Sequence, residues 1–394
     1  MKFLFFRTLL SRARLFCARL FCARLFCAQL FRARLLCVLL GCLLPLALTA
    51  EAHGAEVPRD LLDALPEAAE DILEIGGAGA GPEGFTDGIQ AILDSVSSRA
   101  AAVFRQRIRG AASILLVVVA CGAVEGFAHG TAGDKATVFL PMAGALAVTL
   151  LTAGSLDDLI GLGAETIREL NTFSKLLLPT LAAATAASGA VTTATFQQVT
   201  TVFLADLLME LIDGLLMPMV YLYIGVLAAS SCLPENRLGG LAELLKKTVT
   251  WVLTSALLLF TVYLSAVRII AGAADGTTVK VAKAAISGAV PVVGGIIAEA
   301  TETVLAGAGM LKNTIGVVGM LAILAACAYP FLQLGVQYLL YKLSAFLASA
   351  VGSPHLCKLI DGLGGAFGLV LGMTGSCALL LLISVLSSVA AVTP

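Results

Sequence analysis

Long stretches of this chain carry no charged side chain, and that feature decides what it can fold into. From Leu176 to Ala205 there are 30 residues without Asp, Glu, Lys or Arg, and from Gly214 to Pro234 another 21. Further uncharged runs occupy 110–124, 136–156, 248–267, 284–298, 313–341 and 362–394. A helix needs roughly 20 apolar residues to cross the hydrocarbon of a bilayer. Inside lipid every backbone amide must be satisfied within the fold, which leaves helices or closed barrels. Barrel strands alternate in short segments, and these runs are long and continuous. The expectation is an all-α, polytopic helical integral membrane protein. Charged residues make up 13% of the chain, about half the share of a soluble domain. Its 39 glycines suit helices that approach closely in lipid.

The chain divides into three parts. Residues 1–52 read as a signal peptide. They hold Ala-Arg-Leu-Phe-Cys three times over, from Ala13 to Cys27, and then an apolar run, Leu35–Ala50, before Ala50-Glu51-Ala52. A basic start, a short apolar core and an A-x-A site describe a secretory signal, so cleavage is expected after Ala52; an uncleaved anchor is the alternative. Five residues advance a helix by about 140°, so the repeated Arg residues spiral and make no amphipathic face. Residues 53–109 are polar. A Gly-rich linker at 76–84 is followed by Phe85–Arg109, where Ile89, Ile92, Leu93 and Val96 have helical spacing and Arg99, Arg105, Arg107 and Arg109 follow. That pattern fits an interfacial helix at the headgroups or a solvated linker helix. Residues 110–394 form the polytopic membrane domain.

About seven spans are expected, near 110–129, 136–155, 176–195, 214–233, 248–271, 313–335 and 365–390. Residues 196–213 fit a further span or an acidic surface helix. The run at 284–298 is too short to cross and has the length of a re-entrant segment. Seven spans from an outside N-terminus put four basic residues in inner loops and seven in outer ones, against the usual cytoplasmic bias of Lys and Arg. Orientation stays open.

Three carboxylates, Asp206, Glu210 and Asp213, separate the uncharged runs 176–205 and 214–234. Their i, i+4, i+7 spacing puts them on one helical face. Such a face either borders an aqueous pore or polar path, since ionisable groups at membrane depth are costly, or lies solvated at the water boundary. Pro218, Pro291, Gly294 and Gly295 are candidates for a helix break or re-entrant turn, because proline removes a backbone donor and broken helices mark transporter paths. Glu125, Arg268 and Lys342 sit near span ends, where snorkelling suffices. The body-located cysteines, Cys121, Cys232, Cys327, Cys357 and Cys377, have no metal-type spacing and read as small hydrophobes.

No phosphate loop, HExxH or GxSxG occurs in the chain, so no catalytic residue, metal or cofactor is expected. Beyond residue 34 the chain holds 17 basic and 26 acidic residues, which argues against nucleic acid as a partner.

Several segments resemble the stage III sporulation protein AE family: Leu177-Leu178-Pro179 with Ala186–Thr192, then Pro291-Val292-Val293-Gly294, Glu299–Leu305, Lys312-Asn313 and Gly316–Gly319. Each is weak alone, but their order and spacing carry the resemblance. It implies a multi-pass protein of the mother-cell membrane facing the forespore. The expected companions are the other stage III proteins of the AA to AH set, with SpoIIQ across the intermembrane space. Together they would form a channel or secretion-like complex that sustains forespore gene expression, with the AA companion as the motor. The Arg/Cys leader and the acidic face are not part of the family pattern. Two rival functions remain at this point. A secondary transporter or permease would show an internal hydropathy repeat, and none is evident; a purely structural scaffold for ring proteins would line no pore.

Overall fold

The computed structural model describes residue 66 and residues 82–131, 134–189, 201–233, 238–289, 294–351 and 354–389. The leader, the cleavage position at Ala52 and Pro291 lie outside the described residues. All regular structure among the described residues is helical: α1 Pro82–Thr131, α2 Asp134–Ala187, α3 Val202–Leu211, a π turn Ile212–Leu216, α4 Met217–Ser231, α5 Gly239–Ala289, α6 Gly294–Val351 and α7 Pro354–Val389. Among the described residues six helices are long and apolar enough to cross a membrane, with α3, the π turn and α4 counted as one.

Two of the expected spans, 136–155 and the described part of 176–195, do not separate. Residues 136–187 are one helix. The intervening stretch contains no proline, and Leu156, Leu159, Ile160, Ile167, Leu170 and Phe173 are buried along it. That stripe keeps the polar stretch packed on the bundle as a helix. The boundary expected at 109/110 also falls inside a continuous helix, α1.

α6 and α7 form the enclosed centre, and contacts at small residues set their antiparallel register. Gly316 faces Val389, Gly375 faces Phe331, and Gly364 faces Tyr341; the Tyr341 ring stands edge-on to Phe367 with centroids 5.1 Å apart. α2 runs antiparallel to α6, with Gly163 against Leu334 and Leu177 against Gly319. α1 runs parallel to α6, with Gly88 against Leu321 and Arg107 donating to Gln333 Oε1 at 2.8 Å. Arg99 lies 5.9 Å from the Tyr329 ring centroid. Two of the four arginines expected at headgroups therefore turn onto α6.

α5 shows what a lipid face looks like here. Its exposed apolar residues include Trp251, Leu258, Leu259 and Val262. The hydroxyls of Thr254, Thr261 and Ser265 on the same exposed side each donate to the carbonyl four residues back. No polar group on those side chains is left facing hydrocarbon.

Candidate functional site: a charged cleft beside the π turn

The π turn follows from two residues. In an α-helix Pro218 would press its ring against the carbonyl of residue 214 and offer it no N–H. The chain widens instead, and the Met217 N–H reaches back five residues to the Ile212 carbonyl. Gly214, with no side chain in the turn, is exposed. π turns inside α-helices are frequent at functional sites. This one carries Asp213.

The three predicted carboxylates do not share one fate. Arg168 Nε donates to Asp213 Oδ2 at 3.0 Å, and Lys175 Nζ lies 3.0 Å from Asp206 Oδ1. Glu210, between them, is exposed, with no ion pair among the described residues. Asp213 and Pro218 also line one cleft of about 600 Å³ with Gly161, Ala164, Glu165, Arg168, Met217 and Tyr221. One member of each predicted set, Asp213 of the acids and Pro218 of the helix-break residues, thus lies at a single place. The other helix-break candidates do not join it. α5 ends at Ala289 and α6 opens on Gly294 and Gly295, on either side of the undescribed residues 290–293.

Arg168 and Lys175 fall between the expected spans 136–155 and 176–195, and hydropathy does not single them out. The signal was present as a matched interval: the cations are seven residues apart, and so are Asp206 and Asp213. On two antiparallel helices this spacing lets both pairs close together.

Height in the bundle gives the cleft its meaning. The α2 segment between Gly163 and Leu177 lies beside α6 between Leu334 and Gly319, inside the uncharged run 313–341 of α6. The side chains of Arg168 and Lys175 are nonetheless 69% and 55% exposed. The outer face of α2 and α3 is therefore charged at the level where α6 and α7 are uncharged. Hydrocarbon against that face would leave exposed charges in a medium that solvates them poorly. No cluster of three His, Cys, Asp or Glu among the described residues could hold a metal ion.

The family model for stage III sporulation protein AE matches residues 84–392. The chain belongs to this family. A curated relative, stage III sporulation protein AE of Bacillus subtilis (strain 168), is 27% identical over 216 residues, covering 55% of this chain. The chain spans about half of that relative's length, 54%. No solved structure matches. Family and helices together make this a sporulation-related membrane protein of the stage III set.

Proposed function

We propose that the chain is an integral membrane subunit of the channel or secretion-like complex that links mother cell and forespore. In this reading it sits in the mother-cell membrane facing the forespore, acts without catalysing a reaction, and works with the other proteins of the AA to AH set and with SpoIIQ. Residues 1–52 act as its signal peptide. The charged face of α2 and α3 turns toward the complex's polar interior and away from lipid.

One observation carries this: exposed Arg168 and Lys175, paired with Asp213 and Asp206, at the height of the uncharged centre of α6. A free-standing protein surrounded by lipid has no use for such a face, whereas a subunit among others does. The family match supports the sporulation setting. The structural-scaffold reading is favoured by the pairing itself, since it leaves few free charges to guide a permeant ion. Asp206→Asn, Glu210→Asn and Asp213→Asn combined separate the two. Reduced forespore gene expression with normal protein levels and normal assembly supports a polar path. Failure of companion proteins to co-purify supports a scaffold. Unchanged sporulation sinks both roles for this face.

A further inference from the structure

A second polar cluster lies away from the cleft, where α4, α5, α6 and α7 meet. Lys342 Nζ donates to the backbone carbonyl of Asp361 at 3.2 Å and also to its carboxylate, so it turns to α7 and does not simply snorkel. Lys342 also lies 5.9 Å from the Tyr338 ring centroid. On α4, Tyr223 OH donates to the Gly362 carbonyl at 2.9 Å. Lys246 of α5 completes the group. A Cβ on Gly365 would lie 3.0 Å from Lys246 Nζ and 3.2 Å from Tyr223 OH, so the missing side chain is the space the ammonium uses.

The charges do not balance. Lys246 is within electrostatic reach of Lys342, Asp361 and Glu243. Asp361 is already bonded to Lys342, and Glu243 pairs with Lys247 at 2.9 Å. Among the described residues no hydrogen bond or ion pair holds the Lys246 ammonium; its backbone carbonyl accepts from Thr250. His355, nearer the start of α7, is engaged with the Ser231 carbonyl at 3.0 Å, and Lys358 is exposed. Two ammonium groups therefore flank one committed carboxylate, and each gains from an added anion.

Position identifies the anion. Lys247 is the last charge before the uncharged run 248–267, Lys342 the first after 313–341, and Asp361 the last before 362–394. Three helices change from uncharged to charged at one level, which marks the edge of the hydrocarbon. The anions concentrated at that edge are headgroup phosphates, and basic pockets between membrane helices bind them.

We infer that Lys246, beside Lys342 and Tyr223, binds the phosphodiester of an anionic phospholipid at the α4–α7 junction. The full chain, reconstituted in nanodiscs of phosphatidylcholine with phosphatidylglycerol, tests this by native mass spectrometry of retained lipid and by thermal unfolding. Wild type should retain phosphatidylglycerol over phosphatidylcholine. Lys246→Gln should weaken that retention roughly fivefold, from the usual worth of one basic residue near a charged bilayer. Lys246→Arg should restore it, and Lys247→Gln should leave it unchanged. Gly365→Ala, which intrudes on the ammonium without touching charge, should weaken it too. Retention equal to wild type in Lys246→Gln overturns the site. Protection by inorganic phosphate alone, with no preference between the lipids, overturns the lipid as its source. Loss of companion-protein binding in Lys246→Gln with lipid retention intact overturns it in favour of an acidic partner.

Discussion

The alignment of α2 with α6 can be tested by filling and emptying one contact. Leu177 has no exposed surface, and a Cβ on Gly319 would lie 2.7 Å and 2.9 Å from its two methyl carbons. Gly319→Ala therefore forces the end of a buried leucine aside, at about 1–3 kcal/mol for overpacking, offset in part by the better helix propensity of alanine. Leu177→Ala leaves a void, at about 2–5 kcal/mol in soluble proteins. The lower part of that range applies here, because the leucine of an unfolded but inserted chain still sits in lipid and only the packing loss remains. In the double variant the new methyl enters the vacated space. The two costs should then fail to add, by about 1–2 kcal/mol in favour of the double variant, as neighbours in contact do. The assay is reversible unfolding in mixed micelles of the four proteins of the cycle. Additivity within about 0.5 kcal/mol, the figure for sites without contact, would refute the register. The placement of Arg168 and Lys175 at the uncharged height of α6 would fall with it.

Other consequences are smaller but separable. Tyr223→Phe removes the bond to the Gly362 carbonyl and should cost about 1 kcal/mol in the same unfolding assay. Gln333→Leu takes the acceptor from Arg107 and should cost about 1–3 kcal/mol, with Arg107→Met in the Gln333→Leu background recovering much of it. Pro218→Ala lets the π turn tighten into α-helix. A disulfide between cysteines placed at 168 and 213, formed readily with Pro218 present, should then form slowly or not at all.

Much of this fold was legible because hydrophobicity without charge has few outlets. The runs at 313–341 and 362–394 could only be buried or lipid-facing helices, and α6 and α7 are the most enclosed spans. Two of the expected spans, 136–155 and the described part of 176–195, meet in one helix because hydropathy and helicity part company there. Residues 156–175 look like a loop because they carry charge, yet their apolar residues keep helical spacing and bury against α6 and α7. The arginines of α1 were misleading for a related reason. A run of basic residues says that charge is present, but only the partner helix shows that Arg107 meets Gln333. At the cleft the acids were visible and their partners were not. A carboxylate row is local in sequence, whereas the pairing of Asp213 with Arg168 spans 45 residues and depends on the turn that Pro218 imposes.

The charged side of α2 and α3 must not meet lipid tails if this protein works as a subunit among others. Cysteines placed singly at 165, 168, 172, 175, 206, 210 and 213 in a cysteine-free background, with 251, 258 and 262 as lipid-facing controls, can be probed in sporulating cells with a membrane-impermeant maleimide. The same set is then probed in cells lacking the companion proteins. Reaction on the α2–α3 side in either background, with the α5 controls protected throughout, is the expected result. Protection of both sets in both backgrounds, relieved only by a lipid-soluble reagent, would contradict it.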